Sequence, residues 1–340
     1  SPEWIQLGLE RVMQVAHFGG HTTVGDMAVG IFDFDLEWQA AINIMEKSDA
    51  PFRVLCVPHE TRVNFMAGGG EQGLDFVKDL PDRNTSQFRF AKKIKLFTDG
   101  AFFSQLAMMQ DPGYIDGHLG EWLTPPERYE ASARIYWNAG FEIHVHCTGD
   151  LGLELALDTL EKLQWERPRF NHGYTIEHFG FSTQEQIHRI KALGANVSAN
   201  VYYLHELSAA YSRDGVGVER SSQMGRLGSC EREDILISLH SDFPMAPAMP
   251  LHNAWVACTR ENCEGDVVAV NERVSLDTAL KAITINAARI LGLENETGSL
   301  RAGKKADFAI LDKDPYETGG EGLKEINIEA TVFEGRIFPI

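Results

Sequence analysis

Short apolar segments with a two-residue alternation recur along this chain, each followed by a stretch of helical periodicity. That rhythm constrains the fold more than any other feature. Phe141, Ile143 and Val145 alternate with Glu142, His144 and His146, the period of a strand. Gly149 interrupts the pattern and a helical run follows from Leu151 to Leu163. The same reading places strands at His21 to Asp26, Phe52 to Pro58, Ala91 to Phe97, Thr175 to Phe179, Ala195 to Tyr203 and Asp234 to Leu239. Helical patterns cover Glu3 to His17, Leu36 to Met45, Pro125 to Ala139, Thr183 to Leu193 and Pro250 to Cys258. Strands joined by helical crossovers run parallel, and a closed barrel of this class needs eight. Only seven strands are legible here.

A chain of 340 residues exceeds one average domain but accommodates a barrel of about 250 residues with a small appendage. The helical pattern from Ser275 to Leu291 ends at Gly292. Beyond it, segments such as Phe308 to Leu311 and Ala330 to Ile337 read as short strands and turns. The expected division is therefore a (β/α) barrel over residues 1–291 and part of a β-sandwich over 292–340. Hydrophobic residues make up 44% of the chain, yet no uncharged run is long enough to span a membrane. A net charge of −18 opposes contact with nucleic acid. Five scattered cysteines, odd in number, fit a reduced, cytoplasmic setting rather than a disulfide framework.

The chemistry collects at polar strand ends, where catalytic groups gather in parallel α/β folds. Lys95, His146, His178 and Asp242 each stand at or just past the end of a different strand. Two histidines and a carboxylate are typical ligands of zinc or a similar divalent ion, with one coordination position left to water. Lys95 either pairs with Asp99 or Asp150, or loses its proton through burial beside a metal and becomes a carboxylated ligand. His144, His172 and His240 read as satisfied core groups, and Glu177 as a structural carboxylate. The connection from Gly100 to Thr124 is long and aromatic, the mark of a lid or binding loop. Substrate contacts are expected from Phe102, Phe103, Gln105, His118 and Trp122 of that loop, and from Tyr203.

At these residues the chain resembles the amidohydrolase superfamily, and within it the amidohydrolase-3 branch that includes N-substituted formamide deformylase-like enzymes. The phrases that carry the likeness are Lys95 to Gly100, His146-Cys147-Thr148-Gly149-Asp150, Ile176-Glu177-His178 and Ser241-Asp242-Phe243-Pro244. The segments Thr284 to Ala288 and Gly298 to Asp307 add to it. The resemblance implies a metal-dependent hydrolase of the TIM-barrel type, cleaving a small or non-peptide amide C–N bond. Asp242 would act as general base, and one or two ions, most naturally zinc, would be held by Lys95, His146, His178 and Asp242. Family members carry a His-x-His pair on a first barrel strand, and none precedes Thr22 here. The chain is therefore read as lacking that strand, which leaves one ion instead of two and an open edge that invites a homo-oligomer. A catalytically silent barrel with a binding or regulatory role is the alternative.

Overall fold

The computed structural model describes residues 2–30, 33–46 and 49–340. Eight strands run parallel: β1 (Thr23–Val29), β2 (Arg53–Pro58), β3 (Phe88–Phe90), β4 (Lys93–Phe97), β5 (Glu142–Cys147), β6 (Thr175–His178), β7 (Asn196–Asn200) and β8 (Ile237–His240). They form two sheets, β1-β2-β3 and β4-β5-β6-β7-β8. A parallel bridge from His59 to Lys95 continues the first sheet into the second. The expected strand from Ala91 to Phe97 is thus part of a longer segment that breaks at Ala91 and Lys92, with β3 paired to β2 and β4 to β5. Seven strand positions result, and among the described residues no ladder joins β8 to β1.

Helices cover the parallel strands as the sequence pattern requires. Helix Asp150–Glu166 buries Leu153, Ala156, Leu157, Leu160 and Leu163, each large side chain contributing about 2 kcal/mol. Its neighbour Gln184–Leu193 opens with a capping box, Thr183 and Gln186 exchanging side-chain to backbone bonds. Arg189 ties the two helices through Glu154, Asp158 and Glu161. Among the described residues no helix is long and apolar enough to cross a membrane, and all five cysteines are free thiols.

Two elements depart from the sequence pattern for local reasons. The expected helix from Ser275 to Leu291 is two, Leu276–Ala282 and Ile285–Leu291, broken at Thr284 with φ −131° and ψ −102°. There the Thr284 hydroxyl donates to the Leu280 carbonyl at 2.6 Å, competing with the helical ladder. The strand expected to reach Tyr203 stops at Asn200, because the Asn200 side chain accepts the Tyr202 amide and starts helix Tyr202–Ala210. Helices Glu60–Ala67 and Glu71–Asp79 are additions that the alternation did not reveal.

The C-terminal strands β9 (Phe308–Leu311), β10 (Ile328–Phe333) and β11 (Arg336–Pro339) form an antiparallel sheet in the order β11-β10-β9. Arg53 of β2 anchors it: its guanidinium donates to Asp307 at 2.5 Å and Glu334 at 3.1 Å and lies over the Phe333 ring. Both Arg53 and Asp307 are buried, so removing Asp307 leaves the buried guanidinium with only the half-exposed Glu334. Asp307→Ala should lower stability by about 3–5 kcal/mol, read as a shift in the urea midpoint. An unchanged midpoint would contradict the anchoring role.

Candidate metal centre

Register brings the polar strand ends to one rim. His146 of β5 stands beside Glu177 of β6, Glu177 beside Ser198 of β7, and Asn200 beside His240 of β8. Residues in register share a face, so His144, His146, Glu177 and His240 belong to one interior. By the same alternation His178 would follow its partners Cys147 and Ala199 to the opposite face. A φ of 74° takes it out of the extended conformation instead, and its ring centroid lies 4.4 Å from that of His146. Asp242, two residues past the end of β8, is also left-handed with φ 56°. Such conformations cost about 1–3 kcal/mol each for most residues and collect at functional sites.

The donors converge on His178. Its Nδ1 is 3.7 Å from the Asp242 carboxylate and is buried without a hydrogen-bond partner. The His240 ring centroid stands 5.1 Å away, and the Nε2 of His240 is likewise buried and unpartnered. One ligand atom each from His178, His240 and Asp242 fall within 4.8 Å of one another. His146 adjoins that trio through its contact with His178, and its Nε2 points to the Gly100 carbonyl at 3.5 Å.

Burial sets the electrostatics. Desolvation, then the nearby Lys95 charge, pushes His146 down to about 3 and His178 well below its usual value. Both are neutral imidazoles, the form that ligates metal. Desolvation also lowers Lys95, opposed by Glu177 and Asp242. Burial would raise Glu177, but the bond from His144 at 2.6 Å and the charge of Lys95 hold it down at about 2. Glu177 is thus the fixed anion beneath the histidines.

The carboxylates expected as alternative partners of Lys95 are engaged elsewhere. Asp99 is buried and accepts five hydrogen bonds: from the amides of Met108, Thr148 and Gly149 and the hydroxyls of Thr98 and Thr148. Asp150 accepts from Arg220 and the Gln110 amide. These two fasten the aromatic connection onto the loop after β5. Gly149 permits the closest approach, since a Cβ there would meet the Met108 carbonyl at 2.0 Å.

Within that connection Phe102 is fully buried, stacked on Tyr203, Tyr211 and Phe181 at 4.3, 4.6 and 5.1 Å. Tyr203 is also buried, with its ring 6.4 Å from His178. Phe103 is 61% exposed. His118 stacks on Tyr114 and its ring bonds the carbonyl of Gln105 at 2.7 Å, while Trp122 bridges to Asp99. Phe102 and Tyr203 therefore form the floor, and Phe103, Gln105, His118 and Trp122 stand nearer the solvent side. His172 has both ring nitrogens satisfied. His240 does not, and its position two residues before Asp242 is the sequence signal that could have marked it. His59 is a further residue beyond the sequence reading: it bridges Lys95, stacks on Phe97 at 4.3 Å and has an unpartnered Nδ1.

The amidohydrolase family profile matches residues 4–339. The chain belongs to the amidohydrolase family. It is 26% identical over 243 residues to N-substituted formamide deformylase of Arthrobacter pascens, covering 71% of this chain and 44% of that protein. It is 30% identical over 259 residues to Protein LONG AFTER FAR-RED 3 of Arabidopsis thaliana, covering 75% and 44%. The chain thus spans less than half the length of these curated relatives. Among solved structures, an uncharacterized metal-dependent hydrolase from Pyrococcus furiosus superposes with a TM-score of 0.72 at 23% identity, over 92% of this chain and 60% of that one. An adenosine deaminase from Xanthomonas campestris with bound zinc gives 0.63 at 15% identity, over 100% and 71%. The amidohydrolase chain shares their fold.

Asp99 is the group on which the rim's loops depend. Asp99→Ala leaves three buried amides without an acceptor, a loss of about 3–5 kcal/mol. Amide hydrogen exchange across residues 106–122 should accelerate more than exchange in β5 or β6. Uniform protection in the variant would show that the carboxylate does not hold the loop.

Proposed function

We propose that this amidohydrolase chain is a metal-dependent hydrolase of a small or non-peptide amide C–N bond, built on a TIM-type (β/α)8 plan of which it supplies seven strand positions. Residues 292–340 then belong to a β-sandwich appendage. The observation that carries the reading is the buried, unpartnered Nδ1 of His178, 3.7 Å from Asp242, with the His146 ring at 4.4 Å. Neutral imidazoles and a carboxylate at strand ends fit a divalent cation of the zinc type. His146, His178 and Asp242 would hold it, joined by Lys95, whose lowered basicity favours the neutral amine that can take up carbon dioxide as an anionic ligand.

When bound, the ion supplies Lewis acidity toward the scissile carbonyl and toward water. Asp242, with its side chain 45% exposed, accepts the proton of the attacking water and returns it to the leaving nitrogen. Phe103, Gln105, His118 and Trp122 line the approach and select an apolar or aromatic substituent, over the floor of Phe102 and Tyr203. The Glu177 carboxylate orients His144 through its 2.6 Å bond.

At saturating metal, Asp242→Asn should slow hydrolysis of N-formyl and N-acyl amines by about 10²–10⁴-fold with the bound metal retained. His178→Ala should lose metal and activity together. Turnover by Asp242→Asn at the unmodified rate would contradict the proton-acceptor role. Metal uptake without turnover of any amide by the starting chain would favour a binding function instead.

A further inference from the structure

From the same rim, we propose that His240 is a direct ligand of the cation, so that the centre is drawn toward β8 and held by His178, His240 and Asp242. This rests on the metal-dependent reading above and puts His240 in place of His146 and Lys95 in its ligand set. The three ligand atoms lie within 4.8 Å of one another, whereas those of a tetrahedral zinc site stand about 3.3–3.5 Å apart at bond lengths near 2.0–2.1 Å. Two imidazoles and one carboxylate are the ligand set of a catalytic zinc that keeps an open position, and the mixture of nitrogen and oxygen donors disfavours calcium or magnesium.

Independent observations point to His240 itself. It is the last residue of β8, in register with Asn200. Its Nε2 is buried with no partner, a state that costs free energy unless a ligand relieves it. The nearest anion, Glu177, stands 3.9 Å from that nitrogen, beyond hydrogen-bond reach, because its other oxygen is committed to His144.

The test is cobalt(II) binding to the full 340-residue chain, read from its visible d–d absorption, with zinc competition against a chromophoric chelator. His240→Gln should weaken binding by about 100-fold or more, beyond the 10–100-fold of losing an outer partner. Zinc-edge EXAFS should count one imidazole fewer than in the starting chain. His240→Cys supplies a gain of signal: a thiolate-to-cobalt charge-transfer band should appear, which a merely packed residue cannot give. Affinity within about threefold in His240→Gln, with no charge-transfer band in folded His240→Cys, would overturn the ligand role. If His178→Gln abolishes binding in that case, the metal-dependent reading survives and only His240 is removed from it. A starting chain that takes up neither cobalt nor zinc would overturn both.

Discussion

Everything at the rim depends on the parallel ladder that runs from β4 through β8. Its register sets Lys95 against His144, His146 against Glu177, and Asn200 against His240, and so decides which polar groups share an interior. A slip of one residue in any strand would send these groups to the opposite face. The ladder is secured from outside by apolar helices and from above by Asp99, whose carboxylate gathers amides from two successive strand-end loops. The site is thus a by-product of sheet geometry, completed by the left-handed His178, which breaks the alternation where it would turn the ring away, and by the left-handed Asp242 just past β8.

The buried groups form a charge system rather than a set of separate residues. Glu177 stays ionised because His144 donates to it and Lys95 lies near. Burial in turn keeps His146 and His178 neutral. An interior of neutral imidazoles above a fixed anion, with orphaned nitrogens on His178 and His240, is poor at holding protons and well suited to a divalent cation. Membership of the amidohydrolase family and the fold shared with metal-dependent hydrolases agree with that chemistry. The loop from Gly100 to Thr124 is packed down by Asp99 and Asp150, the latter bonded to Arg220.

Much of this was legible in the sequence because it rests on periodicity. The strand–helix alternation, and the positions of Lys95, His146 and His178 at or near strand ends, follow from a two-residue pattern interrupted by glycine and polar residues. Three things resisted. The break at Thr284 depends on a hydroxyl choosing a backbone carbonyl over the helix. The burial of Phe102 depends on three rings contributed by later segments. The partners of Asp99 and Asp150 are amides and an arginine far along the chain, so spacing could not exclude Lys95. His240 reads from sequence as a satisfied core group, because a histidine at a strand end is ordinarily bonded by its neighbours, whereas its Nε2 is buried without a partner.

The central claim is that a divalent cation belongs among His146, His178, His240 and Asp242. Anomalous X-ray scattering from zinc-loaded crystals of the chain, recorded above and below the zinc edge, measures it most directly. The account predicts one dominant anomalous peak within about 2.0–2.2 Å of a His178 nitrogen and an Asp242 oxygen. A loaded crystal with no peak at that rim, or with its only peaks on surface carboxylates, would contradict it.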